Sequence, residues 1–201
     1  MSEQLIIALG REFGSGGHEI AKRLSERLNM PLYDRNLLDH MFEDEEQKKT
    51  LAKYEERGHR FYLSRHVRGF SNSIEENLAH MQFDFIRKKA EEGESFIIVG
   101  RCGETVLRGH QALVSVFILG DLHEKIRRVE QVYNLPEKEA VEKLQRHDRI
   151  RKKYHNTFSD TKWGDARGYD LCLNSSRLSM EKCVDVICDY IGKRREGSDR
   201  L

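Results

Sequence analysis

Between Leu5 and Glu19 an unbroken apolar run, Leu5-Ile6-Ile7-Ala8-Leu9, reaches Gly10 and passes through a glycine-dense turn, Gly14-Ser15-Gly16-Gly17. Apolar residues at helical spacing follow at Ile20, Leu24 and Leu28. The run is too short for a buried helix and shows no alternation, so it predicts a strand covered on both faces, then a tight loop, then a helix. Such a junction aims the first N–H groups of the helix and the positive end of its dipole at one point, which suits a bound phosphate. Glycines let the backbone turn sharply and approach an anion where a Cβ would intrude.

The usual charge of such a loop is missing. The phosphate-loop pattern G-x-x-x-x-G-K-[ST] carries a Lys for the β- and γ-phosphates and a hydroxyl for Mg²⁺, whereas Gly16 is followed here by Gly17 and His18. Two other readings stay open at this point. One is a plain glycine turn with no ligand. The other is the dinucleotide fingerprint G-x-G-x-x-G, helped by Asp34 at the end of a second strand but opposed by Glu19 where the third glycine belongs.

The rest of the chain alternates between the two periodicities. Pro31-Leu32-Tyr33-Asp34, Ser95-Phe96-Ile97-Ile98-Val99, Leu113 to Leu119 and Tyr169 to Asn174 read as further strands. Helical spacing fills the intervals, including Ile74, Leu78, Met81, Phe85 and Ile86, then Ala140, Val141 and Leu144, and finally Met180, Cys183, Val184, Ile187 and Ile191. Asn156 to Gly168 has a loop composition, and Ser175-Ser176 introduces the last helix. Strands alternating with helices predict an α/β fold. It is a three-layer, doubly wound domain with a five-stranded parallel sheet and helices on both faces.

The organisation expected is one domain over residues 1–193, with a charged helical insert at about 43–92 and a basic helical lid at about 136–168. A flexible tail over 194–201 would follow. In the insert, acids precede bases, as in Glu43-Asp44-Glu45-Glu46 before Lys48 and Lys49, which fits an exposed helix with i,i+4 pairs. Asp148 is expected to brace Arg151 or Lys152 in the same way.

Composition excludes several classes. With 34% charged residues but a net charge of +1, the chain is no bulk polyanion binder. The basic run Arg146 to Lys153 has no aromatic residues interleaved for base stacking, which argues against a nucleic-acid partner. Met1-Ser2-Glu3-Gln4 has no basic leader and no apolar stretch reaches membrane-spanning length, so a cytoplasmic protein with no membrane partner is expected. The four cysteines form no C-x-x-C, and Cys172, Cys183 and Cys188 read as reduced core thiols.

Two strand ends besides the first bear on function. Val99 leads into Gly100-Arg101-Cys102-Gly103, a glycine turn carrying an arginine, at the end of a parallel strand where open α/β sheets bind ligands. These segments belong to a larger set: Gly10 to Gly17, Tyr33-Asp34-Arg35, Val99-Gly100-Arg101, Asp148-Arg149 followed by Tyr154, and Trp163-Gly164-Asp165 through Tyr169 to Ser175. Together they resemble the cytidylate kinase-like family over nearly the whole chain. The resemblance implies the nucleoside-monophosphate kinase fold among the P-loop NTPases, with ATP and Mg²⁺ as cofactors and a nucleotide or other small phosphate acceptor as partner.

On that resemblance Gly10, Arg11, Gly14, Ser15, Gly16, Gly17, His18 and Glu19 form the ATP loop. Asp34, Arg35 and Arg101 contact the acceptor, and Arg101, Arg149 and Arg151 are the catalytic cations. No metal-binding side chain is assigned beyond Asp34 as a carboxylate near the metal or acceptor. The chain departs from true cytidylate kinases at Gly17, where they have the loop lysine, and at Cys102, where they have an Asp. The function expected is ATP-dependent phosphoryl transfer, with CMP the first acceptor to consider. A non-catalytic nucleotide-binding or regulatory protein is the alternative. The sequence specifies neither the acceptor nor the oligomeric state.

Overall fold

The computed structural model describes residues 4–34 and 74–198. Its elements in order are β1 (Ile6–Arg11), α1 (Gly17–Leu28), β2 (Leu32–Tyr33), α2 (Ile74–Glu91), β3 (Phe96–Val99) and α3 (Gly103–Val106). There follow β4 (Leu113–Leu119), α4 (Leu122–Tyr133), α5 (Glu137–Phe158), a 3-10 turn (Ala166–Gly168), β5 (Leu171–Asn174) and α6 (Met180–Ser198). The five strands form one sheet in the order β2-β3-β1-β4-β5, and every pairing is parallel.

The continuous apolar strands are continuous because both faces of the sheet are covered. Ile7 and Leu9, with Ile97, Val99, Val116 and Ile118, pack on Ile20 and Leu24 of α1 and on Val184 and Ile187 of α6. Their neighbours Ile6, Ala8, Phe96 and Ile98 point the other way, onto Ile86 and Ala90 of α2 and onto Leu107. Period-two alternation thus sorts one strand's side chains into two separate cores. Each fully buried Ile or Leu contributes roughly 1.5–3 kcal/mol through loss of apolar surface to water.

Several element boundaries and faces differ from the sequence expectation. α5 runs to Phe158, three residues into the stretch with loop composition, and α6 starts at Met180 rather than at Ser175-Ser176. The segment expected to be a tail from residue 194 is helical as far as Ser198, and Arg194 donates to the carbonyl of Gln111 at 2.9 Å and to that of Leu113. On α2, Met81 faces solvent while Phe83 is buried, because the helix turns Ala79 and Phe83 onto Cys102, Tyr154 and Phe158. Of the cysteines expected in the core, Cys183 is buried and Cys188 half-buried, but Cys172 is exposed. It lies on β5, at the edge of the sheet among the described residues. Arg35 and the charged stretch 43–70 lie outside the described residues. Among the described residues no helix is long and apolar enough to cross a membrane.

Candidate functional site

The carboxyl ends of β1, β2 and β3 lie side by side in the sheet; Arg11 ends β1, and Asp34 and Arg101 follow β2 and β3. After β1 the chain forms the glycine-rich loop. Gly14 and Gly16 both have φ of +76°, a left-handed conformation that side chains rarely adopt, and Gly16 is the N-cap of α1. The first N–H groups of α1, from Gly17 on, have no carbonyl partner within the helix and face the space beyond the strand ends. Ser15 is buried, and its hydroxyl donates inward to the Glu12 carbonyl at 2.8 Å. Its own carbonyl accepts from the Ser175 hydroxyl at 2.5 Å. The Ser15 hydroxyl is thus committed to holding the loop together.

Other cations stand around this lysine-free loop. Arg11 lies at its entrance, half-buried, with its Nε shut off from solvent and without a hydrogen-bond partner. Its pKa is held well below the usual arginine value, first by burial and then by the positive charges of Arg151 and Arg101, against which Asp34 and Asp148 act. Arg151 on α5 donates to the Arg11 carbonyl at 3.3 Å and stacks its guanidinium over the Phe13 ring at 5.4 Å. Burial lowers its pKa too. Arg101 lies over the Tyr154 ring at 5.9 Å. Arg101 and Cys102 have consecutive positive φ values of 55° and 52°. Two adjacent non-glycine residues in that region cost energy, and such strain persists where the surrounding structure over-determines it.

Of the other residues expected at the site, His18 is exposed, with Nε2 3.6 Å from a carboxylate oxygen of Asp34. Glu19 turns along α1 to pair with Arg23 at 3.1 Å. Arg149 lies on the exposed side of α5, away from the inward face that carries Asp148, Arg151 and His155. Asp148 interacts electrostatically with Arg151 in its own helix, but its hydrogen bond and close ion pair go elsewhere. Its carboxylate accepts the Phe13 N–H at 2.6 Å and lies 3.8 Å from Lys125 Nζ.

Lys125 is one of four residues the sequence reading passed over. Its side chain is 8% exposed and its Nζ donates to Glu12 at 2.8 Å. Glu12 also accepts the Gly120 N–H at 3.1 Å. A Cβ on Gly14 would lie 2.8 Å from the Lys125 carbonyl oxygen, so the loop packs directly on α4. Arg128, one turn on, reaches Gly16, where a Cβ would lie 2.9 Å from its Nη1. Glu104 and His155 form a buried pair at 2.8 Å that ties the turn bearing Arg101 to α5. The available signal was a lysine within a helix whose neighbours Ile126 and Val129 are apolar, and a histidine in register with Asp148 and Arg151.

The Trp163-Gly164-Asp165 segment is structural. Trp163 packs edge-on against Phe117 at 5.4 Å, and Asp165 caps the 3-10 turn by accepting the Arg167 N–H.

Comparison with known proteins agrees with this fold. The model of the cytidylate kinase-like family matches residues 6–177. A crystal structure of an uncharacterized protein from Eubacterium ventriosum is 39% identical, with a TM-score of 0.75, covering 94% of this chain and 99% of that one. Shikimate kinase from Bacteroides thetaiotaomicron is similar in fold at 15% identity, with a TM-score of 0.54, covering 94% and 98%. A sugar kinase from Janibacter is similar at 14% identity and a TM-score of 0.51, covering 94% and 95%. The sheet order 2-3-1-4-5 is that of the P-loop kinase fold. No curated protein matches the sequence.

Proposed function

The chain belongs to the cytidylate kinase-like family, and from that premise we propose that it transfers the γ-phosphoryl group of ATP to a small acceptor, a nucleoside monophosphate such as CMP first among them. The observation that carries this reading is the convergence of three guanidinium groups, Arg11, Arg101 and Arg151, at the mouth of a glycine-rich loop. Asp34 and Asp148 act against their charge on Arg11. Phosphoryl transfer asks little covalent chemistry of a protein. It asks for in-line positioning and for positive charge around the transferring oxygens. The first-turn N–H groups of α1 fit a phosphate, and the Arg11 Nε beside them has its hydrogen bond still unmade.

Asp34, beside His18 at 3.6 Å, is the carboxylate that would help hold Mg²⁺ brought in with the phosphates. When bound, the ion neutralises charge on the phosphates. Arg101 and Arg151 approach from the acceptor turn and from α5, so they bear on the group in transfer and on the acceptor. α5 lies across the loop through Asp148 and Phe13, and this contact shields the loop from water and from idle hydrolysis.

The second reading is a nucleotide-binding regulator that does not turn over. It is favoured by Gly17 in place of the lysine and by a Ser15 hydroxyl turned inward. One experiment separates the two: incubation with ATP and Mg²⁺ against a panel of nucleoside monophosphates and small metabolites, with products identified by mass. A phosphorylated acceptor above the no-enzyme background supports the kinase. ATP binding by calorimetry without any product across the panel supports the regulator, and absence of nucleotide binding removes both.

A further inference from the structure

Gly17 has no conformational need to be glycine. Unlike Gly14 and Gly16 it does not have a left-handed φ, and it occupies the first turn of an ordinary α-helix. What excludes a side chain there is Arg11: a Cβ on Gly17 would lie 2.6 Å from the Arg11 Cβ and 3.1 Å from its Cγ. The far end of the same side chain is accommodated by Gly100, where a Cβ would lie 2.1 Å from Nη1. Arg11 therefore runs from the phosphate loop to the turn that follows β3, between two glycines. Its stem covers the site from which a loop lysine would project. Its Nε is buried with no hydrogen-bond partner in the protein, and buried donors of that kind are rare unless something else accepts from them.

We propose that Arg11 supplies the phosphate-binding cation that P-loop kinases carry at the position of Gly17, contacting the γ-phosphoryl group of ATP from the end of β1, and that Gly17 is the space this substitution requires. The inference rests on the phosphoryl-transfer reading and deepens it by assigning the missing charge. In the transfer an anionic oxygen of the acceptor phosphate bonds to the γ-phosphorus as the bond to the β-phosphate oxygen breaks, leaving ADP. Arg11 exchanges no proton and emerges unchanged. A guanidinium suits the task better than an ammonium on this path, because its planar fork spans two oxygens and it bridges the donor loop and the acceptor turn.

The test is a charge swap in the full chain, read as the affinity for the β,γ-imido analogue of ATP relative to ADP. Arg11→Ala is expected to weaken the analogue on the order of tenfold or more while changing ADP less, since the contact is to the γ-group. Gly17→Lys alone is expected to weaken it as well, because the new Cβ meets the Arg11 stem. The double variant R11G/G17K, in which glycine at position 11 also removes the Cβ that lies 2.6 Å from the new one, is expected to bind the analogue roughly tenfold more tightly than Arg11→Gly or Gly17→Lys alone. Arg11→Gln, which keeps most of the stem, supplies the same comparison if Arg11→Ala does not fold. A double variant no better than the tighter-binding single, or an analogue-to-ADP ratio unchanged in Arg11→Ala and Arg11→Gln, overturns the assignment. Wild-type protein that binds neither nucleotide overturns the kinase reading beneath it.

Discussion

Asp148 and Phe13 are joined across 135 positions of sequence by one hydrogen bond, in which the Phe13 N–H donates to the Asp148 carboxylate at 2.6 Å. The bond fastens α5 to the glycine-rich loop, and the Arg151 guanidinium one turn later sits over the Phe13 ring. Burial raises the Asp148 pKa despite the Phe13 N–H and Lys125, so the ionised carboxylate is kept at a cost. Asp148→Asn retains an acceptor for Phe13 and removes the buried charge. It is therefore expected to stay within about 1 kcal/mol of wild type, whereas Asp148→Ala loses about 1–3 kcal/mol through an unsatisfied amide. Urea denaturation of both variants checks the ordering.

His147 lies flat on the same Phe13 ring, with centroids 4.3 Å apart and planes at 8°. Burial, followed by the charges of Arg151, Arg146 and Lys143, lowers its pKa from 6.5 to about 4. A histidine whose folded pKa lies below its unfolded value stabilises the fold fully above the unfolded value, and that contribution declines as pH falls from 6.5 toward 4. His147→Phe keeps the stack and removes the titration. Wild type should lose more stability than this variant between pH 7 and pH 5, as measured by denaturation midpoints. Parallel losses in the two proteins contradict the prediction.

Lys125 balances two carboxylates on one buried ammonium. Lys125→Met leaves Glu12 and Asp148 facing each other in a poorly solvated space, at a cost on the order of 3–5 kcal/mol. Adding Glu12→Gln removes one of the stranded charges and should recover part of the loss. Thermal or chemical denaturation of the single and double variants measures this recovery. Its absence would mean that Lys125 stabilises the loop by packing against Gly14 alone.

The sheet was legible because its signal is local. A run such as Phe96 to Val99 is apolar at every position only when both faces are covered, and the structure covers both. The loop was legible for the same reason: Gly14 and Gly16 need a left-handed backbone that the sequence announces. What escaped depends on partners far along the chain. Met81 and Phe83, two apart, lie on nearly opposite sides of α2, and the side carrying Phe83 is buried because Phe158 and Cys102 pack there. Lys125 finds Glu12 across 113 positions, and His155 finds Glu104 across 51. Periodicity is silent about such pairs, since each member looks like one more charge on a helix.

The buried pair of Glu104 and His155 bears on the strained turn just before it. Arg101 and Cys102 keep positive φ values while Glu104 is anchored to α5 at 2.8 Å. Glu104→Ala is expected to cost about 1–3 kcal/mol and to release the turn. Its effect on phosphoryl transfer should therefore be largely absent in an Arg101→Ala background. Glu104→Gln, which can still accept from His155, should restore most of the activity. Additive losses in the double variant would show that Glu104 acts independently of Arg101.

Arg149 and Arg151 are both lid cations by sequence, yet they sit differently on α5. Arg151 is turned inward to the Arg11 carbonyl, with its pKa lowered by burial, while Arg149 faces solvent. A guanidinium already desolvated beside the loop interacts with developing charge more strongly than one dispersed in water, and it needs no reorganisation to do so. Arg151→Ala and Arg101→Ala are each expected to lower transfer at least ~100-fold, the size typical of losing one electrostatic stabiliser. Arg149→Ala should lose less than ~10-fold, because a surface charge is screened. Steady-state rates of the three variants with ATP and the acceptor found in the product screen measure the difference. An Arg149→Ala loss equal to that of Arg151→Ala would mean that α5 rotates on binding and brings Arg149 onto the phosphates.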